Sequence, residues 1–105
     1  MSEPDTIETI DDLNIVLSNI NDVEAEIDST IIEDELLPDW KERMFNERLE
    51  YIVAAWAKLK AIEDEETFQS DEEQEKIAAG LRTLKSTESK IEQAFQDSRD
   101  LEESD

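Results

Sequence analysis

Residues 38–62 read PDWKERMFNERLEYIVAAWAKLKAI, and the periodicity of this stretch decides the fold. Phe45, Leu49, Ile52, Trp56 and Leu59 recur at steps of four, three, four and three, the spacing that lines side chains along one face of an α-helix. Met44, Tyr51, Ala55 and Ile62 widen that face, so this helix is expected to meet more than one neighbour. Both tryptophans, the only tyrosine and five of the ten Lys and Arg residues lie here. Trp56 falls on the stripe and reads as core; Trp40, at the end of the segment, reads as partly exposed. Asp39 with Arg43 and Arg43 with Glu47 form i,i+4 pairs, and Lys58 and Lys60 sit where the helix dipole favours cations. The segment is nearly neutral and reads as structural support.

Upstream, Asp5 with Glu8 fits a capping box. Ile10, Leu13, Leu17, Ile20, Ile27 and Ile31 then form an apolar stripe, with Ile7 and Val23 beside it and Glu24 interrupting it. A first helix from about residue 6 to 35 follows, roughly 45 Å long at 1.5 Å per residue. Pro38 is expected to stop it, because a proline pushes the preceding residue out of the α region. Pro38 also suits the first turn of the next helix, so the connection should be very short and the two helices antiparallel.

Downstream, residues 63–75 read EDEETFQSDEEQE. Ser70 with Glu73 fits a second capping box, and Phe68 is expected to fold back onto the core. Ile77, Leu81, Leu84, Ile91 and Phe95, with Ala94 alongside, predict a third helix over residues 71–97. Gly80 costs that helix about 1 kcal/mol against Ala unless it permits a close crossing. The acidic tail after residue 97 is expected to fray. The fold class is all-α: a single acidic domain forming an antiparallel three-helix bundle, up-down-up, or an elongated coiled-coil-like helical hairpin plus a third helix.

Charge is the compositional anomaly. The 105 residues carry 31 Asp and Glu against ten Lys and Arg, a net charge of −21. Disorder is one reading of such a balance, but the regular apolar stripes argue against it for all but the ends. Adaptation to high salt is another, and eleven Ile with more Lys than Arg sit poorly with it. Residues 1–37 hold twelve acids and no base, and residues 63–75 hold eight more acids. Asp12, Asp22, Glu26 and Glu33 fall on one helical track, with Asn19 and Ser29 in its gaps and Asp11, Asp28 and Asp34 beside it. None of these acids has a basic i+4 partner in its own helix, and like charges at that spacing cost stability.

The residue inventory excludes several chemistries. Without Cys or His there is no thiolate, no Cys-ligated metal and no imidazole base or ligand. A calcium loop beginning at Asp64 would place Glu66 at position three and Glu75 at twelve. It would also place Phe68 and Gln69 where a ligand and a glycine are required. No phosphate-binding loop and no nucleophile beside a base is present, so no enzyme, cofactor or metal is expected. Direct nucleic-acid binding is opposed by the charge. No apolar run approaches the ~20 residues that span a bilayer, and the start has no signal-peptide pattern, so a cytoplasmic protein is expected.

A duplex presents a phosphate every ~3.4 Å of axis per strand, and a rod with two or three tracks of carboxylates roughly 5–6 Å apart can resemble a duplex edge to a basic groove. In size and charge the chain is similar to DNA-mimic inhibitors, the small phage- or plasmid-encoded acidic proteins that occupy restriction, CRISPR, repair or nucleoid proteins. The expected partner is a protein with a basic, nucleic-acid-binding surface. The expected binding residues are Asp11, Asp12, Asp22, Glu26, Glu33, Asp34, Glu63, Asp64, Glu65, Glu66, Asp71 and Glu72. A different class fits the same helices: an assembly module such as a coiled-coil adaptor, a scaffolding component or a small chaperone for a basic partner. Its association surface would include Ile15, Val16 and Ile32, and a homodimer is compatible with either reading.

Overall fold

The first helix begins where Thr9 accepts a hydrogen bond from the Asp12 N–H while the Asp12 carboxylate accepts from the Thr9 N–H. This reciprocal box, not the expected Asp5–Glu8 pair, starts α1 (Ile10–Thr30). The helix also ends earlier than expected. The hydroxyls of Ser29 and Thr30 donate to the Glu26 carbonyl at 3.0 and 2.7 Å, and Ile31 turns into extended backbone. Side chains that bond nearby backbone and branch at Cβ favour such an exit. The described residues 31–32 and 35–38 are therefore outside any helix, rather than a helix running to residue 35 with a tight turn at Pro38. Pro38 instead caps α2 (Asp39–Asp64), its carbonyl accepting from the Lys41 and Glu42 N–H groups at 3.0 Å.

The structure, a computed structural model, describes residues 5–32 and 35–103. After α2 the chain passes Phe68, which is buried as expected, and Ser70, whose hydroxyl accepts from the Glu73 N–H at 3.2 Å. That cap opens α3 (Asp71–Glu103). Beyond residue 97 the chain stays helical through Glu103 instead of fraying. Gln93 donates to Asp97 and Gln96 to Asp100, each at 2.9 Å, and the buried Ser98 hydroxyl accepts from the Leu37 N–H at 3.1 Å. These bonds offset the unfavourable placement of acids at a helix C-terminus. Among the described residues all regular structure is helical.

Cross-helix contacts fix the topology. Gly80 lies level with Leu17 and Leu59. Higher up, Arg48 meets Glu26 and Lys90 meets Asp28; at the far end Phe45 meets Phe95 edge-on at 6.0 Å. Hence α1 and α3 run in one direction and α2 in the other, an up-down-up rod measuring 54 × 25 × 19 Å. Both α1 and α2 lie mainly against α3 and meet each other less.

The core runs the length of the rod, but its phase differs from the expected stripes. On α1 Leu13, Val16, Ile20 and Ile27 are fully buried, while Ile10 is exposed. Val16, assigned above to a free association surface, is core. On α2 the buried positions are Phe45, Ile52, Ala55, Leu59 and Ile62, a 3.5-residue repeat in which Ala55 takes the place expected for Trp56. The small Ala55 lets the backbones approach. Trp56, too large for that seam, lies along its edge at 37% exposure. Lys41 is also buried, its ammonium paired with Glu35 in the connection and 6.0 Å from the Trp40 ring centroid. On α3 the buried Gly80, Thr87, Ala94 and Ser98 alternate with Ile77, Leu84 and Ile91, so small side chains line half of the central helix's seam.

Candidate binding surface

The first helix carries no cation, so its carboxylates can form ion pairs only with other parts of the chain. Asp12 is committed to the N-cap, accepting from the N–H groups of Glu8 and Thr9 at 3.1 and 3.2 Å. Glu26 is half-buried and accepts from Arg48 Nε at 2.6 Å. The guanidinium titrates above its usual range because of that hydrogen bond, which outweighs its partial desolvation. Asp28 accepts from Lys90 Nζ at 2.7 Å, which likewise raises the lysine above its ordinary 10.5. The expected track of Asp12, Asp22, Glu26 and Glu33 is therefore not one free face: two of its members hold the fold together. Asp11 and Asp22 are exposed, whereas Glu33 and Asp34 lie outside the described residues.

The remaining expected residues converge. From the common level of Leu17, Leu59 and Gly80, α1 reaches its start in seven residues, α2 its end in five and α3 its start in nine. At 1.5 Å per residue these three termini lie within roughly 6 Å of one another along the rod. Asp11, Glu63, Asp64, Glu65, Glu66, Asp71 and Glu72 are all exposed there. Two helix N-termini stabilise Asp11, Asp71 and Glu72 through their dipoles. The acids ending α2 have the dipole against them, and Glu63 is paired instead with Lys60 at 2.8 Å, which holds that lysine above its ordinary value.

The bend between α2 and α3 fixes this acidic end. Thr67 N–H donates to the Ile62 carbonyl and Glu66 N–H to the Glu63 carbonyl, the paired bonds of a Schellman motif. Its left-handed position is Glu66, with φ 53°, where glycine is usual. The geometry was legible in part: the acidic block was expected, but its junction with the start of α1 follows only from helix order.

Sequence reasoning anticipated an exposed Ile32 and a partly exposed Trp40, but missed Leu36 and the notch beside Val53. Ile32, Leu36 and Trp40 are exposed at the opposite end of the rod, Trp40 by 63%, among the exposed acids Asp39, Glu42, Asp100, Glu102 and Glu103. Between α2 and α3 a notch of about 300 Å³ is lined by Ile52, Val53, Trp56, Leu84, Lys85 and Glu88. Among the described residues no group of His, Cys, Asp and Glu is placed to hold a metal ion, and no helix is long and apolar enough to cross a membrane. Comparison with protein-family models, with curated proteins and with solved structures finds no match. Fold and surface together define an all-α three-helix rod with exposed carboxylates gathered where α1 starts, α2 ends and α3 starts.

Proposed function

We propose that this chain is a non-catalytic acidic binding protein of the DNA-mimic type. It occupies the basic, nucleic-acid-binding surface of a partner protein, as phage- and plasmid-encoded anti-restriction or anti-CRISPR inhibitors do. The reading places it in the cytoplasm, without cofactor or direct nucleic-acid contact. The observation that carries it is the convergence of Asp11, Asp64, Glu65, Glu66, Asp71 and Glu72 at one end of the rod, all exposed. Their shared negative potential would displace counterions from a basic groove and steer approach at long range.

A pull-down from nuclease-treated lysate at low salt tests it, with wild type beside the variant Asp64→Asn/Glu65→Gln/Glu66→Gln/Asp71→Asn. Support is a nucleic-acid-binding protein released by salt, displaced by duplex DNA and lost on the variant. Capture that resists salt, or that the variant retains, overturns it. That result would favour the assembly-module reading, whose supporting observation is the exposed Ile32, Leu36 and Trp40 end.

A further inference from the structure

A second stripe runs beside the core seam on each of two helices. On α3, Leu81, Lys85, Glu88, Glu92, Phe95 and Arg99 recur at steps of four and three, each directly after a buried residue. On α2, Asn46, Leu49, Val53 and Trp56 do the same, and Val53 and Trp56 directly follow the buried Ile52 and Ala55. One residue is about 100° of helix, so both stripes are turned by that angle from the core. They line one groove. A cleft of about 780 Å³ joins Asn46 and Leu49 to Glu92, Phe95 and Arg99. A shallower hollow leads from Leu49 to Val53, and the notch continues from Val53 to Trp56, Leu84 and Lys85. All three are lined by α2 and α3 alone. From Glu42 to Trp56 the groove is roughly 21 Å long, about four helical turns. Leu49, Val53 and Trp56 fall within about 60° of one another and give it an apolar floor. Val53 is 63% exposed there.

We propose that this groove binds a cationic amphipathic helix of a partner protein, about four turns long, as a fourth helix of the bundle. Charge selects the occupant. Phe45 packs on Phe95, and from that level Glu50 lies five residues along α2 while Glu92 and Glu88 lie three and seven back along α3. Acids therefore stand on both banks of the floor within roughly 3 Å of one height. Lys85 and Arg99 stand nearer the two ends, outnumbered by Glu42, Glu50, Glu88, Glu92 and Glu102. A helix with an apolar stripe between two rows of Lys or Arg meets floor and banks together. A second copy of a chain of net charge −21 would set acid against acid instead. The groove shares no residue with the carboxylates that carry the mimic reading, so either can stand without the other.

Titration of the full chain with a synthetic peptide of about 18 Leu and Lys residues, its leucines on one helical face, tests the proposal. The control peptide has the same composition shuffled so that its leucines surround the helix. Trp40→Phe leaves Trp56 as the sole tryptophan, and its emission reports cover over the groove. The amphipathic peptide should shift that emission to the blue and bind roughly tenfold or more tighter than the control. Val53→Glu is the sharpest variant. It adds a carboxylate, so attraction by charge alone would strengthen, whereas docking on the floor should weaken about tenfold or more. Its circular dichroism should match wild type because the site is exposed. Glu50→Gln/Glu92→Gln, which leaves the floor intact, should weaken binding and flatten its dependence on salt. The variant Asp64→Asn/Glu65→Gln/Glu66→Gln/Asp71→Asn should bind the peptide as wild type does, which separates this groove from the mimic surface. Equal binding of the two peptides, no shift of Trp56, or binding that Val53→Glu strengthens overturns the proposal. So does a species of twice the 12.1 kDa chain mass that Val53→Glu dissociates, which would give the groove to a second copy.

Discussion

Arg48 Nε on α2 donates to Glu26 Oε1 on α1 at 2.6 Å, joining the nearly neutral helix to the acidic one. With Lys90 and Asp28 at 2.7 Å, it makes α1 a helix whose counter-charges come from its neighbours. Glu26→Gln should therefore lower stability rather than raise it. The side chains are 33% and 41% exposed, so solvent screens the pair and the expected loss is about 0.5–1 kcal/mol. A double-mutant cycle with Arg48→Ala, unfolded in urea because guanidinium would screen the charges, measures the coupling. Asp22→Asn, at an exposed site, should be neutral or slightly stabilising. A stabilising Glu26→Gln would return Glu26 to the free acidic track.

Glu66 holds a left-handed conformation that costs a side-chain-bearing residue roughly 1–2 kcal/mol. Glu66→Gly should raise stability by about 1 kcal/mol. Glu66→Ala removes the same charge but keeps the Cβ, so it should recover little of that gain. Equal gains from both would assign the effect to charge instead of backbone.

At Gly80 a Cβ would stand 2.7 Å from Leu17 Cδ2 and 3.0 Å from Leu59 Cδ1. Both are the mobile ends of leucines, although Leu59 is fully buried. Gly80→Ala should consequently forfeit most of its ~1 kcal/mol helix advantage to repacking and come out near neutral. Gly80→Leu should cost roughly 1–3 kcal/mol or more by forcing α1 and α2 off α3. A full gain for alanine would show that the close crossing does not need glycine.

Lys90 has a folded-state pKa raised above 10.5, first by its hydrogen bond to Asp28. The stabilisation is complete below the unfolded value and is lost as pH rises through the folded one. Melting temperatures of wild type and Asp28→Asn should thus differ by a constant amount through neutral pH and converge in alkali. A difference that persists in strong alkali would mean that Asp28 acts through something other than the lysine.

Much of this architecture was readable from spacing alone: three helices, a buried Phe68, a Ser70 cap and the acidic block between α2 and α3. Phase was harder. Trp56 and Leu49 are the larger residues on their side of α2, and hydrophobicity drew the stripe toward them. The closest seam selects small residues instead, which is why Ala55 is buried and Trp56 is not. Thr87 and Ser98 filled core positions that looked polar; Thr87 donates to the Thr83 carbonyl, and Ser98 serves Leu37. Lys41 was hidden for a related reason, since its partner Glu35 sits in a connection that the pattern assigned to helix. Asp12 and Glu26 looked unopposed because their partners are a backbone terminus and a residue on another helix.

The parallel alignment of α1 with α3 sets an order of assembly. The α2–α3 hairpin closes over a short bend, whereas α1 and the segment before Pro38 reach α3 through contacts 62 and 61 residues apart in sequence, Asp28 to Lys90 and Leu37 to Ser98. Chain-closure entropy favours the hairpin as the early nucleus and delays the docking of α1. Substitutions in the α2–α3 seam should then act mainly on the refolding rate, and those confined to α1 mainly on the unfolding rate. The helix with the fewest cations would be the last to arrive and the first to leave.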